Sequence, residues 1–573
     1  MYSIERYTIP ELIEKSSRRY AERPALSMVQ GEPIRFRELE PRTKKIAALL
    51  SLLGAKKGDR VALLSENRPE WGLAYLGIAR SGAIAVPIMT DFIPEQISNI
   101  LAHSESVVLI VSAKLLAKVG GEGSKRIVIS VEDLKLIAAP AGTAFPSEQR
   151  IKEAAAAYTP PTVDADDLVS IVYTSGTTGH SKGVMLSHRN IVFDAEASRK
   201  FIVLRRTDRL LSVLPLAHTY EFTIGFIIPL MQGSAVYYLD RPPSATVLLP
   251  AMAAIRPTVF LSVPLLIEKT YRAAVKPALD KISLYKIPLL KPVFDRLAGA
   301  KLMKSFGGKI RFFGIGGAPL AADVETFLNS AHFPYSIGYG LTETAPLLTG
   351  NKPGKVKAFT TGFAATGVEL RIGDPRPDTG EGEIQARGLN VTRGYYKDPE
   401  KTKEIFTDDG WFRTGDLGVM EADGRITVRG RLKTMILGAS GENIYPEEIE
   451  AVLNSSPYVQ ESLVYGDETG LTALVHLKPE VLEEMTARVK DGIEGAEEAA
   501  TRFGHAVGEA VGHAGVSLGN AEKSATHLLE RIKKETNERL AAFSRVGTVK
   551  LQAEPFEKTP KQSIKRFLYP KKP

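Results

Sequence analysis

Leu168-Val169-Ser170-Ile171-Val172-Tyr173-Thr174-Ser175-Gly176-Thr177-Thr178-Gly179-His180-Ser181-Lys182-Gly183-Val184-Met185-Leu186-Ser187 is the most informative stretch of this 573-residue chain. It opens on Leu168–Thr174, mostly apolar and of strand length, and Val184–Ser187 also reads as a strand. Between them serines, threonines and glycines crowd around one lysine. Glycine lets the backbone turn and approach a ligand closely. Successive N–H groups and hydroxyls from Thr174, Ser175, Gly176, Thr177, Thr178 and Gly179 can then surround phosphate oxygens. Lys182 adds a compact positive charge. The P-loop of the common nucleotide-binding fold is excluded, because it needs glycine before the lysine, Ser or Thr after it, and a helix next. Here Ser181 precedes Lys182, Gly183 follows, and a strand comes next. Alone, such a loop is ordinarily just a surface loop; its companions decide.

Working outward, strand-length apolar runs alternate with helical patterns. Arg60–Leu64, Ala83–Ile88, Val107–Val111, Thr258–Val263 and Ile310–Ile315 read as strands, and Phe36–Leu53 and Trp71–Ser81 as helices. This alternation predicts an α/β architecture with buried sheets flanked by helices. Ile310–Ile315 runs into Gly316-Gly317, as a strand does where it ends at a ligand crevice. Around Gly430 short strands and short helices take over: Arg425–Val428, Thr434–Leu437, Ser462–Tyr465 and Ala473–Leu477, with a helix start at Tyr445-Pro446-Glu447-Glu448. The expected division is a large domain over 1–430 and a small mobile α+β domain over 431–573, carrying a helical insertion at about 480–541. Inside that insertion Gly504, Gly508 and Gly512 recur every four residues. On a helix they form a small-residue stripe, read either as a partner contact or as a hairpin packing on itself.

The totals bound the function. The chain is too long for one core. With no cysteine there is no disulfide framework, thiolate metal site or cysteine nucleophile. The N-terminus carries charges throughout and no apolar core segment, so a secretory signal is not expected. The longest apolar run, around Ile224–Met231, carries a proline and is too short to span a bilayer. The net charge of +8 could favour anionic ligands or acidic lipid heads, but scattered surface lysines ordinarily read as a solvated face. No nucleic-acid motif accompanies it. A cytoplasmic protein is expected, with peripheral membrane contact left open.

Further motifs follow in order: Leu214-Pro215-Leu216-Ala217-His218-Thr219-Tyr220-Glu221; Gly316-Gly317-Ala318-Pro319; Tyr339-Gly340-Leu341-Thr342-Glu343-Thr344; Trp411-Phe412-Arg413-Thr414-Gly415-Asp416-Leu417-Gly418; Gly430-Arg431-Leu432-Lys433; and Gly441-Glu442-Asn443-Ile444. Together with the Thr174–Lys182 loop they resemble the adenylate-forming (AMP-binding) superfamily of acyl-CoA synthetases, firefly-type luciferases and peptide-synthetase adenylation domains, over most of the chain. The resemblance implies ATP, Mg²⁺ and coenzyme A as cofactor and co-substrates. It puts His218 beside a carboxylate substrate and Gly316, Gly317 and Ala318 along the adenine and acyl pockets. Tyr339 flanks the adenine, Gly340 beside it belongs to the nucleotide-binding set, Thr342 contacts the α-phosphate, and Glu343 holds Mg²⁺. Asp416 accepts the ribose hydroxyls, Arg431 reaches the nucleotide, Lys433 is the interdomain hinge, and Gly441 belongs to the thiol tunnel. A magnesium ion bound by one or two carboxylates plus phosphates suits a single glutamate, and a carboxylate can accept two hydroxyl bonds at once.

His218-Thr219-Tyr220-Glu221 and Arg256-Pro257-Thr258-Val259-Phe260, followed by Val263-Pro264, make a long-chain fatty acyl-CoA synthetase the expected relative. Leu265 and Leu266 stand where such enzymes commonly carry arginine and an aromatic residue. The ending departs too. The superfamily's C-terminal lysine aligns with Ser563, between Lys561 and Lys565 in Thr559-Pro560-Lys561-Gln562-Ser563-Ile564-Lys565-Arg566. On an extended segment Lys561 and Ser563 share a face, which makes Lys561 the candidate for that charge. The alternatives are a catalytically impaired nucleotide- and acyl-binding protein, or a ligase acting on a carrier protein or an aromatic acid.

Overall fold

Val61, Ala62, Leu63 and Leu64 are fully buried in succession, as are Leu109, Ile110 and Val111. Unbroken burial, without in-and-out alternation, is what a parallel strand shows when both faces of its sheet are covered. The computed structural model describes residues 4–174, 182–437, 443–467, 470–483, 525–559 and 564–569, and those runs sit where the sequence places them. One seven-stranded sheet runs Leu136–Ala138, Ile127–Ser130, Val108–Val111, Arg60–Leu64, Ile84–Pro87, Leu168–Thr174, Lys182–Ser187. Its interior pairings are parallel; the two edge pairings are antiparallel. A second runs Tyr335–Ile337, Phe312–Ile315, Val259–Ser262, Arg209–Ser212, Ala235–Tyr238, Pro24–Met28, Ile34–Arg35, parallel except for the last pair.

The helix Phe36–Leu52 buries Leu39, Ile46, Leu49 and Leu50 on one stripe, and Pro69–Arg80 starts on a proline suited to a first turn. The expected strand Ile310–Ile315 is shorter, Phe312–Ile315. The apolar run at Ile224–Met231 forms the end of a π-helix, Tyr220–Ile227, continued as an α-helix over Ile228–Gln232. Among the described residues no helix is long and apolar enough to cross a membrane.

The chain divides into two compact units: Met1–Thr414 with Gly418–Val428, and Gly415–Leu417 with Arg429–Pro573. The second unit holds the strands Val459–Asp467, Gly470–Leu477 and Thr548–Leu551 in that order and the helix Pro446–Asn454, entered at Tyr445. Leu453, Ile449, Val464, Val475 and Ile532 share its core. Of the expected 480–541 insertion, residues 480–483 and 525–537 are helical. The second helix stops at 537, short of Ala541, because the Asn537 side chain turns onto the following chain. It donates to the Val546 carbonyl at 2.9 Å and accepts from the Val546 N–H at 2.8 Å. Gly504, Gly508 and Gly512 lie outside the described residues.

Candidate active site

Thr174 pairs with Lys182 across the antiparallel hairpin of Leu168–Thr174 and Lys182–Ser187. The candidate loop therefore leaves and rejoins the sheet at one rung. Ser175, Gly176, Thr177, Thr178 and Gly179 lie outside the described residues, as do Gly441, Lys561 and Ser563.

The strand Lys182–Ser187 is the last of its sheet, and its free edge takes up Thr392–Tyr396. The Met185 N–H donates to the Gly394 carbonyl at 3.0 Å, the Tyr396 N–H to the Gly183 carbonyl at 2.8 Å, and the Thr392 hydroxyl to the Met185 carbonyl at 2.6 Å. This strap delivers Tyr395 to Lys182, whose ammonium lies 4.8 Å from the centre of the tyrosine ring. That is within cation–π range. The Tyr395 hydroxyl donates to Glu343 Oε1 at 2.9 Å, and the Thr392 N–H donates to the Glu343 carbonyl at 2.7 Å. Burial, and then the adjacent Glu343 carboxylate, push the Tyr395 hydroxyl far above its ordinary range, so it remains a donor. One tyrosine thus fixes both the candidate phosphate lysine and the candidate metal carboxylate.

Thr342, Glu343 and Thr344 form a short 3₁₀ turn fastened from behind. Asn390 donates to the Thr344 and Leu347 carbonyls at 3.0 and 3.1 Å, the Thr223 hydroxyl to the Ala345 carbonyl at 2.7 Å, and the Leu347 N–H to Asp194 Oδ1 at 3.2 Å. Burial raises the Asp194 carboxyl well above the usual carboxylate range. Before the turn, Tyr339 and Gly340 pair with Thr349 and Leu347. Gly340 admits no other residue there, since a Cβ would fall 1.9 Å from the Pro346 carbonyl oxygen.

The strand Phe312–Ile315 ends at Gly316, whose N–H donates to the Ser262 carbonyl at 3.2 Å. Gly317 then turns with φ +88°, left-handed backbone that favours glycine. Gly317 and Ala318 are exposed while Gly316 is buried. A Cβ on Gly316 would sit 3.3 Å from the ring of Tyr220, so that ring packs directly on the glycine backbone. The Tyr220 N–H in turn donates to His218 Nδ1 at 3.1 Å. With Nδ1 occupied as an acceptor, the imidazole carries its proton on Nε2 and can donate it to an anion. Behind Tyr220, Glu221 is buried with one carboxylate oxygen unpartnered. Burial pushes its carboxyl up to about 8, against the hydrogen bond from Ser212.

The remaining candidates lie in the second unit. Asp416 is buried, and its Oδ1 meets Arg431 Nε at 3.1 Å; the arginine side chain is 60% exposed. The Leu432 N–H donates to the Gly415 carbonyl at 2.9 Å, and the Thr434 N–H closes a turn onto the Arg431 carbonyl at 3.1 Å. Lys433 is exposed inside that turn. The expected strand over Thr434–Leu437 is reduced to Ile436–Leu437, because this turn takes Thr434. Lys558 pairs antiparallel with Ile564, on either side of Lys561.

The structure thus gathers Thr174, Lys182, Thr342 and Glu343 around one strap, and His218 with Gly316 around Tyr220. Sequence reasoning missed Tyr395, Thr392 and Asn390. Arg393-Gly394-Tyr395-Tyr396 carries only an ordinary core-aromatic signal.

A donor set of one carboxylate, held by a neutral hydroxyl, fits a magnesium ion whose other ligands are phosphate oxygens and water. Among the described residues no group of three carboxylate or imidazole ligands could hold a metal unaided.

Known proteins resemble this chain in sequence and in fold. One relative is a long-chain-fatty-acid–CoA ligase, FadD15, of Mycobacterium bovis, 34% identical over 476 residues that cover 76% of each chain. The peroxisomal long chain acyl-CoA synthetase 7 of Arabidopsis thaliana is 30% identical, over 79% of this chain and 69% of that protein. Among solved structures, an ATP-bound RpMatB-BxBclM chimera superposes with a TM-score of 0.72 at 25% identity, covering 98% of each chain. The expected mixed α/β fold is therefore borne out. The AMP-binding enzyme family matches residues 13–396, a span that takes in the Thr174–Lys182 rung, His218, the Gly316 turn, Glu343 and Tyr395. More than half of the sequence carries that match, and the chain belongs to the AMP-binding enzyme family.

Proposed function

We propose that this protein is an AMP-forming acyl-CoA ligase that activates a long-chain fatty acid with ATP and transfers the acyl group to coenzyme A. The observation that carries the reading is the Lys182–Tyr395–Glu343 assembly, a cation and a carboxylate held on one side chain beside a phosphate-type loop. The names of the two relatives support the substrate class.

In the first step a carboxylate oxygen attacks the α-phosphorus of ATP, the bond to the bridging oxygen breaks, and pyrophosphate leaves. No protein nucleophile is needed; positioning and charge stabilisation do the work. Lys182 and the loop amides hold phosphate oxygens, Thr342 contacts the α-phosphate, and Glu343 is the residue that would hold Mg²⁺. The ion, when bound, neutralises charge that builds on the phosphate oxygens. His218 Nε2–H orients the acid's carboxylate, while Gly316–Ala318, Tyr339 and Gly340 leave room for the adenine and acyl groups. Asp416 and Arg431 take the ribose and nucleotide. In the second step the coenzyme A sulfur attacks the acyl carbonyl and AMP departs, after the small domain turns about Lys433 and brings in Gly441. Lys561 supplies the charge of the first step.

Ser563 favours one rival, a binding protein without turnover. The test is to incubate the protein with Mg-ATP and fatty acids of graded length, with and without coenzyme A, and measure pyrophosphate, AMP and acyl-CoA. Acid-dependent pyrophosphate and AMP with acyl-CoA product are expected. Tight ATP binding without pyrophosphate would select the rival; product only with an acyl carrier protein or an aromatic acid would move the acceptor or the substrate. We place the protein in the cytoplasm, in peripheral contact with a membrane.

A further inference from the structure

Between Lys276 and Arg311 nine cations face two carboxylates, a balance of +7 in a chain whose net charge is +8. A lysine or arginine recurs at every fifth residue from Lys276 to Lys301. One of the two acids, Asp295, is buried and accepts from the Tyr285 hydroxyl at 2.9 Å, which leaves Asp280 as the only outward acid.

The same stretch exposes apolar side chains. Leu284 is 53% exposed, Leu289 86%, Val293 50% and Leu297 63%. The helix Lys291–Ser305 buries Asp295, Gly299 and Leu302 on one face. By helical spacing Val293, Leu297 and Ala300 line up on the opposite face, with Arg296 on one flank and Lys301 on the other. A helix on a water-facing surface ordinarily turns its apolar row inward; this one carries an apolar row outward between cations.

Just beyond the helix a cavity of about 520 Å³ is lined by Met303, Lys309, Arg311, Arg205 and Arg209, among others. Arg209 spends its guanidinium on the Ile255 and Arg256 carbonyls, at 2.7 and 2.8 Å, and Arg311 is paired with the buried Asp208. Arg205 and Lys309 point no charge at any acid among the described residues.

We propose that Leu284–Arg311 is a docking face for an anionic phospholipid surface. The Leu289, Val293 and Leu297 side chains enter the interface, the flanking lysines meet the surface charge, and Arg205 with Lys309 take a headgroup phosphate. Apolar burial combined with attraction to anionic lipid is the physics of an interfacial helix. A nucleic acid or an acidic peptide would satisfy the cations but leave the outward leucines in water. Docking itself is independent of the ligase reading; only its benefit, access to an acid dissolved in lipid, rests on that reading.

The test is flotation of the full chain with vesicles of phosphatidylcholine alone or mixed with phosphatidylglycerol. Binding is expected only to the mixed vesicles, weakening with salt. Lys301→Gln with Lys304→Gln should weaken it roughly 25-fold, at about fivefold per cation removed, and Arg205→Gln with Lys309→Gln similarly. Leu289→Ser with Leu297→Ser should weaken it by roughly tenfold or more. All six substitutions are at exposed positions, and unchanged melting temperatures establish that the variants fold. Unaltered binding in the lysine or the leucine pair overturns the proposal. So does equal binding to soluble polyglutamate, or inorganic phosphate held in the pocket with no vesicle binding. The same preparations assayed with a dissolved fatty acid separate the two readings: turnover without vesicle binding sinks the docking face alone, and vesicle binding without turnover sinks the ligase alone.

Discussion

The Tyr395 hydroxyl stands 2.9 Å from Glu343 Oε1 while the Lys182 ammonium lies 4.8 Å from the centre of the same ring. A carboxylate and an ammonium that attract each other are thereby held at separate stations on one side chain.

Tyr395→Phe removes the bond to Glu343 and keeps the ring under Lys182. The expected result is a fall of roughly 10–100-fold in magnesium affinity or activity, the size usual for a residue that orients a metal ligand. Tyr395→Leu also removes the ring, adding a loss of about 0.5–2 kcal/mol at Lys182. Magnesium titration of pyrophosphate release in both variants checks this; equal magnesium dependence in the Tyr395→Phe variant and the native protein would refute it. Glu343→Ala should exceed both.

Asp416 and Arg431 separate ligand binding from stability. Their pair is solvent-open on the arginine side, so Arg431→Gln should change stability by no more than about 1 kcal/mol. Asp416→Asn should raise the KM for ATP by roughly tenfold, as expected for a lost hydrogen bond to a charged group. Melting curves and ATP kinetics for each single variant and the double variant decide; a large stability loss without an ATP effect would make the pair structural.

Glu221 gives the fold a pH dependence of definite sign. Its carboxyl is raised from an ordinary 4.5 to about 8, so the folded chain holds the proton more tightly than the unfolded one. The stability from this residue is whole below about pH 4.5 and is lost toward pH 8 at about 1.4 kcal/mol per pH unit. Glu221→Gln keeps the shape without the proton. Its melting temperature should gain on the native protein as pH rises from about 5 to 8, and parallel curves would count against a protonated Glu221.

Lys561 is expected to serve the first step only. Lys561→Ala should cut acid-dependent pyrophosphate release by roughly 10²–10³-fold, the scale of one lost charge-stabilising group, while supplied acyl-adenylate still reacts with coenzyme A. Ser563→Lys on that background should restore release. Full activity in Lys561→Ala would remove the residue from the mechanism.

Much of the fold was legible because parallel strands buried on both faces are written as continuous apolar runs, as in Arg60–Leu64 and Val108–Val111. Strand order was not. Pro24–Met28 lies beside Ala235–Tyr238, a pairing across some two hundred residues that no local pattern records. The site divides the same way. Lys182, Gly316 and Glu343 sit in motifs dense with glycine, serine and threonine, and such motifs announce themselves. Tyr395 reaches Lys182 only because Gly394 and Tyr396 join the edge of the Lys182–Ser187 strand. Its importance is a property of register, and its sequence neighbourhood reads as core.

The π-helix Tyr220–Ile227 has a consequence for how this part of the chain can vary. A π-turn accommodates one more residue than an α-turn, so the segment is longer than the path it covers requires. Its side chains can be exchanged with their facing directions kept. Losing one residue would instead tighten the winding and swing Tyr220, and His218 behind it, away from the Gly316 turn. Variation here is constrained in count before it is constrained in kind.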